Sequence, residues 1–250
     1  MRTVKFLAAV VTIGLLAGCG VGIAGGDSGN DTGRAEGKSG PDGSRSFAVA
    51  DFTGIDLAGS DNVVVTRGAK FSVVATGPQK ILDKLEIRVE GGKLVVSRKS
   101  SMMSWNSDNV ATIAVTLPRL DSAEVSGSGQ MTVDTAEGDS VDLVLSGSGD
   151  LDVANVTTKA LDIALAGSGD LTVKSGKADR GDVSLAGSGD IDIAGVTLAT
   201  ADIALAGSGD VTATATATAD VSLVGSGDVR LGGGAKCDSS ELGSGTVSCS

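Results

Sequence analysis

Apolar and polar residues alternate along most of this chain, and a repeat organises the alternation. Gly-Ser-Gly begins at Gly127, Gly147, Gly167, Gly187, Gly207, Gly225 and Gly243, in steps of 20, 20, 20, 20, 18 and 18 residues. Each copy is an alternating run, the turn, and a second alternating run, as in Val141-Asp-Leu-Val-Leu-Ser-Gly-Ser-Gly-Asp-Leu-Asp-Val153. Period-two alternation marks a strand with one buried face. The residues predicted to face inward are Leu143, Leu145, Leu151 and Val153, then Ile163, Leu165, Leu171 and Val173, then Val183, Leu185, Ile191 and Ile193. Ile203, Leu205, Val211, Val221, Leu223, Val229 and Leu231 continue the set. A period near 20 carried through seven copies predicts an all-β solenoid, a single-stranded parallel β-helix with one copy per coil. Coils about 4.8 Å apart would make seven of them about 34 Å long.

Other repeat architectures fit poorly. Twenty residues rich in glycine and β-branched side chains cannot hold two helices, and the Asn/Cys ladder position of a leucine-rich repeat is missing. The glycines flanking each serine suit a corner, where positive φ and close stacking are needed. A phosphate-cradling loop would have to open a helix, and none is predicted to follow.

Residues 47–120 lack the regular repeat but remain strand-like, and they are expected to cap and extend the tube ahead of the regular repeats at 121–250. Phe52-Thr-Gly-Ile-Asp-Leu-Ala-Gly-Ser-Asp-Asn-Val-Val-Val65 reads as a degenerate copy with its corner at Ala58-Gly59-Ser60-Asp61. Leu85 to Arg98 reads as a hairpin turning at Gly91-Gly92, and Gln79 to Leu85, after Pro78, as a short helical turn. Capping matters because an open end of a β-helix invites edge-to-edge association.

The start of the chain changes the expected location. Arg2 and Lys5 precede an apolar run from Phe6 to Leu16 that is too short for a stable transmembrane anchor. It ends in Leu16-Ala17-Gly18-Cys19, which resembles a bacterial lipobox. Residues 1–18 then form a lipoprotein signal peptide and Cys19 carries the lipid; the alternative is an ordinary leader with a chance cysteine. Two acyl chains suffice for stable membrane anchoring, on the extracytoplasmic face of the cell membrane or outer membrane. From 19 to 46 the chain is mostly Gly, Ser, Asp and Asn, a composition expected of a flexible tether. Cys237 and Cys249 are left to pair in an oxidising compartment, the alternative being two buried free thiols.

Composition narrows the chemistry. Glycine is 38 of 250 residues, aromatics are 2%, and His and Tyr are absent, so a bulky aromatic core, imidazole metal ligands and His-based triads have no material. Lys plus Arg at 20 against Asp plus Glu at 31 gives −11, and removing Arg2 and Lys5 leaves 18 against 31, or −13. Such a chain repels phosphate backbones, and no nucleic-acid partner is expected.

Taken together, the Phe52/Ile55/Leu57 strand with Gly59-Ser60-Asp61, the Leu85 to Val96 stretch and the recurring Gly-Ser-Gly-Asp resemble the bacterial GIN-domain family, adhesin-type autotransporter head domains. The resemblance covers most of 47–250. It implies a β-helical fold on an exported, often lipid-anchored protein, and an adhesin-like role with a glycan or protein ligand. The Cys237/Cys249 pair is not expected across the family. A passive envelope spacer and a polysaccharide-active β-helix enzyme are the alternatives; against the enzyme, the acids recur in every coil instead of clustering once.

Three sets of residues are candidates for function. Asp150, Asp170, Asp190, Asp210 and Asp228 follow the corners, and Asp142, Asp162, Asp182, Asp202 and Asp220 precede them by eight residues. Carboxylates stacked about 4.8 Å apart repel by roughly 1 kcal/mol per pair even in water, so something must offset the charge. Solvation and hydrogen bonds from corner amides are one answer; Ca²⁺ on the corner row is the other, and no other cofactor is expected. The third set is Trp105, with Met102 and Met103, in Ser100 to Ser107, either a ligand contact or a loop folded over the core.

Overall fold

The computed structural model describes residues 35, 37–40, 43–99 and 110–250. They form a β-solenoid of about six turns, built of stacked parallel coils of about 20 residues. The inward set predicted from alternation is buried throughout: Leu143, Leu145, Leu151 and Val153 are all fully enclosed, as are Ile193, Ile203 and Val211. Equivalent residues of successive coils lie directly opposite one another, so Leu145 pairs with Leu165 and Leu165 with Leu185. Aliphatic columns therefore run along the bore, one of leucine alone from Leu145 to Leu223 and others mixing leucine, isoleucine and valine, such as Leu143, Ile163 and Val183.

A coil has three sides. The first holds Ser122–Gly127, Ser140–Gly147, Ala160–Gly167, the ends of Gly176–Gly187, Ile191–Gly207 and Val211–Gly225, and then Lys236–Gly243. Past the corner, the second holds Gln130–Val133, Asp150–Val153, Leu171–Val173, the starts of Ile191–Gly207 and Val211–Gly225, Asp228–Gly232 and Thr246–Cys249. A short third side, Ala136–Glu137 and Val156–Thr157 and their successors, adds Ala136, Val156, Val196 and Leu198 to the core. Leu198 fills the space over Gly181, where a Cβ would lie 2.7 Å from its side chain. The 18-residue steps have their cause here: the register shifts between Ile193 and Thr197, and Val211–Gly225 crosses the third side with fewer residues.

The first coils are not stacked in chain order. Gly54–Gly59 and Asn62–Arg67 form a coil with the predicted corner, and Ser122–Gly127 and Gln130–Val133 stack on one side of it. Lys93–Arg98 and Thr112–Leu117, later in sequence, stack on its other side. Beyond them the pairing turns antiparallel: Leu85–Glu90 closes the hairpin at Gly91 and Gly92, and Ser72–Thr76 pairs with Thr112–Leu117. The helical turn is Gln79–Leu82, which buries Ile81 and Leu82 against this end.

One boundary moves. Gly37–Ser39 and Ser44–Phe47 lie within or across the edge of the stretch expected to be a tether, yet they are strands, antiparallel to each other, and the second pairs with Ser72–Thr76. Phe47 buries its ring in the core, and polar contacts add to this. Arg45 donates to Leu82 O at 2.7 Å and to Asp83 Oδ1 at 2.6 Å. Among the described residues no helix is long and apolar enough to cross a membrane.

Candidate functional site on the first side

The two rows of aspartates have different chemistry. In the corner row, each carboxylate accepts the backbone N–H of the next coil's equivalent residue: Asp190 N–H donates to Asp170 Oδ1 at 3.2 Å, Asp210 N–H to Asp190 Oδ1 at 2.8 Å and Asp228 N–H to Asp210 Oδ1 at 2.9 Å. The row begins with a long contact, 3.5 Å from Asp170 N to Asp150 Oδ1, and ends on Thr246, whose N–H and hydroxyl both donate to Asp228 Oδ1. The carboxylate thus takes the place of a backbone carbonyl where the chain leaves the corner. At Asp210 the Asp228 N–H and then Arg230 hold the carboxyl below its usual range. Among the described residues no group of three or more His, Cys, Asp or Glu side chains is arranged to hold a metal ion.

These bonds predict the outcome of two substitutions. Asp190→Asn keeps an oxygen that can accept the Asp210 N–H and should change the melting temperature little, with or without Ca²⁺. Asp190→Ala leaves that N–H without its acceptor and should cost about 1 kcal/mol. Thermal melts of the two variants check this; a larger loss in the asparagine variant would mean that charge, not the hydrogen bond, matters here.

The other row lies on the first side. Asp142, Asp162, Asp182, Asp202, Asp220 and Asp238 stand directly opposite one another through six coils. Few groups offset their charge: Arg180 pairs with Asp182 at 3.0 Å, and Ser140 Oγ donates to Asp162 at 3.3 Å. Partial burial, and then Asp162, raise the carboxyl pKa of Asp142. Burial is also the main cause at Asp182, where Arg180 opposes it and Asp162 and Asp202 add to it.

Beside this row run two columns of small outward residues. One is Val144, Ala164, Ser184, Ala204 and Ser222, and the other is Ser146, Ala166, Ala186, Ala206 and Val224. They floor two adjoining hollows of about 480 Å³ and 410 Å³, which share Val144, Ala164, Ser184 and Ala204. The larger is walled by Asp142, Asp162, Asp182 and Asp202. At its cap end Lys93 reaches Glu124 at 3.1 Å, and Asp56, opposite Glu124, has its pKa raised by burial and then by Glu124. The result is an open trough along the rod, with a smooth floor and a wall of hydrogen-bond acceptors.

Acid should act on this face in a defined direction. A carboxyl with a raised folded-state pKa binds its proton in the folded chain first, so stability grows as pH falls through the raised value toward the ordinary 3.8. Asp210, with a lowered value, contributes stability that is lost only below that range. Asp142→Asn combined with Asp182→Asn should therefore raise the melting temperature by about 1–2 °C near neutral pH, the small size reflecting solvent exposure, and flatten its change on mild acidification. Melting curves from neutral pH to about pH 4.5 check the sign; a native protein that loses stability steadily over that window contradicts it.

Cys237 and Cys249 are joined, with Cα atoms 6.5 Å apart. Cys19, Trp105, Met102 and Met103 lie outside the described residues. The trough floor is legible in the sequence only as the run of alanine and serine at the outward positions of the same strands, residues that mark no chemistry by themselves.

Known proteins share this architecture. The crystal structure of a "putative adhesin" from Bacteroides fragilis NCTC 9343 superposes with a TM-score of 0.76 at 23% identity, covering 83% of this chain and 96% of that one. A "putative adhesin" from Parabacteroides distasonis ATCC 8503 gives 0.65 at 23% identity, covering 84% and 98%. A "putative lipid binding protein" from the same strain gives 0.63 at 24% identity, covering 83% and 96%. At these identities the likeness is one of fold. No curated protein matches the chain. The model of the family described as "Putative auto-transporter adhesin, head GIN domain" matches residues 51–235, from just before the Gly54–Gly59 strand to just before the Lys236–Gly243 strand, and the chain belongs to that family.

Proposed function

We propose that this chain is a non-catalytic binding protein of the bacterial cell envelope, held on the extracytoplasmic face of the cell membrane or outer membrane by lipid on Cys19, and that its first side takes a glycan lying along the rod. The trough carries this reading. Its floor of alanine and serine lets a flat sugar ring approach, and Asp142, Asp162, Asp182 and Asp202 offer one acceptor per coil to hydroxyl groups. Its uniformity favours repeated, low-specificity contact over chemistry at one point. Trp105, Met102 and Met103 are our candidates for a second, more selective contact.

The test is a screen of glycans and matrix proteins against residues 35–250, with Ala186→Arg as the variant that fills the trough. The proposal expects a glycan to bind and the variant to lose it while melting like the native protein. Silence across the screen would favour a passive spacer, and a protein ligand insensitive to Ala186→Arg would move the site elsewhere. Turnover of an acidic polysaccharide would make the protein an enzyme. Separately, Cys19→Ser should shift the full chain from the membrane fraction to the soluble fraction; unchanged fractionation would remove the lipid anchor from the reading.

A further inference from the structure

The last coil is built unlike those it stacks on. Lys236–Gly243 lies along the outer edge of Val211–Gly225, and Thr246–Cys249 along that of Asp228–Gly232. On the first side two aliphatic columns reach it, Leu143-Ile163-Val183-Ile203-Val221 and Leu145-Leu165-Leu185-Leu205-Leu223. Ser239 takes the next place in one and Glu241 the next place in the other. On the second side Val247, opposite Val229, keeps an aliphatic side chain. Ser239 and Glu241 are exposed, whereas Val221, Leu223, Val229 and Leu231, one coil further in, are buried. Among the described residues no strand pairs with the outer edge of this coil. The opposite end is closed in another way, by antiparallel strands and by the Gln79–Leu82 turn with Ile81 and Leu82 buried.

The disulfide belongs to the same arrangement. Cys237 follows Ala219 in its column and Cys249 follows Leu231, so the link joins the start of the first side to the end of the second and closes the coil into a covalent loop. A sheet edge over an aliphatic bore is a template for another edge, and an inward-pointing charge is what blunts it. A second edge laid over Glu241 would enclose the carboxylate without a partner, at a cost that backbone pairing does not recover. The same polar face gives the coil little apolar surface of its own to bury, so backbone pairing and the covalent loop hold it down.

We propose that this coil is a latched cap, and that opening it turns the end of the rod into a surface that binds the same end of a second copy of this chain. A second copy fits because its Val221, Leu223, Val229 and Leu231 present the same aliphatic face beside the same unpaired edge. Like ends related by a two-fold axis close at a dimer and do not propagate into a fibre. The latch is opened by a dithiol: its thiolate attacks one sulfur, the Cys237–Cys249 bond breaks to leave two thiols, and the dithiol is oxidised to its own disulfide. Oxidation runs the same exchange backwards and commits the rod to a single copy. This surface lies at the end of the rod, and the inference does not rest on the glycan reading.

The test uses the Cys19→Ser chain, which carries no lipid, in sedimentation over a range of concentrations with and without dithiothreitol. The oxidised chain should stay monomeric. Reduction should lower the apparent dissociation constant of a dimer by about 100-fold, the loop-closure contribution expressed as the rarity of the open cap, and reoxidation should restore the monomer. Small-angle X-ray scattering should give the dimer a maximum dimension about twice that of the monomer, as end-to-end pairing requires. Cys237→Ser combined with Cys249→Ser should dimerise without reductant; should that variant fail to fold, the reductant series on the native cysteines stands by itself. Ser239→Val combined with Glu241→Leu, which continues the columns to the outer edge, should dimerise with the disulfide intact. The inference is overturned if the reduced chain stays monomeric, if its dimer is no longer than the monomer, or if the Ser239→Val and Glu241→Leu variant remains a monomer when oxidised.

Discussion

Gly189→Ala is expected to cost more than about 3 kcal/mol, lowering the melting temperature by about 10 °C or preventing folding outright. The cause is contact between coils. A Cβ on Gly189 would sit 2.0 Å from the carbonyl oxygen of Gly169 and 3.0 Å from its carbonyl carbon, and both are backbone atoms that cannot swing away. To make room, one corner must lift off the next, and the lift spreads to the hydrogen bonds that Ser188 N–H makes to Gly167 O at 2.9 Å and Asp210 N–H makes to Asp190 Oδ1 at 2.8 Å. Ser188, one residue earlier, is exposed, so Ser188→Ala should stay within about 0.5 kcal/mol. Denaturant melts of the pair measure the contrast. A Gly189→Ala protein as stable as Ser188→Ala would mean that the corners do not stack in this register.

Reduction of the Cys237–Cys249 disulfide should produce the second large effect. Cys237 stands opposite Ala219 and Cys249 opposite Leu231, so the two sulfurs occupy inward positions on different sides of the last coil. That coil has little else to hold it: Ser239 and Glu241 stand opposite Val221 and Leu223, where earlier coils continue the aliphatic columns. The covalent link substitutes for the missing core. A 12-residue separation corresponds to about 3 kcal/mol of loop-closure entropy. Because a solenoid coil contacts mainly its neighbours, the loss should appear first as fraying of Asp228–Gly232, Lys236–Gly243 and Thr246–Cys249. Hydrogen exchange with and without reductant checks this: faster exchange confined to these strands is expected, and an unchanged pattern would show that the link is dispensable.

What the sequence revealed follows from which forces act locally. The inward columns and corners were legible because alternation and a fixed period reflect burial one strand at a time, and the Gly91-Gly92 hairpin because its turn lies in adjacent residues. The third side was not, since strands of two residues such as Ala136–Glu137 and Val156–Thr157 are too short to alternate. The stacking of Lys93–Arg98 outside Gly54–Gly59 is a pairing between distant segments that local pattern does not encode. The strands at 37–47 escaped because a single apolar residue, Phe47, and the long-range contacts of Arg45 fasten them, and neither makes a periodic pattern. Both aspartate rows were visible as columns, but only the three-dimensional register shows that the corner row is spent on backbone N–H groups while the row on the first side borders a trough.

Identical corners stack in register along one edge of the rod, and distances between those corners test this stacking most directly. Ser128, Ser208, Ser226 and Ser244 are exposed corner residues in the coils that begin their turns at Gly127, Gly207, Gly225 and Gly243. Spin labels attached after Ser128→Cys paired in turn with Ser208→Cys, Ser226→Cys and Ser244→Cys, with Cys19→Ser in the background, give three separations by pulsed electron resonance. Four, five and six coil steps predict about 19, 24 and 29 Å between backbone positions, rising by a constant 4.8 Å or so per coil. Separations that fail to rise in equal steps, or that fall as more coils intervene, would contradict the stacked parallel solenoid.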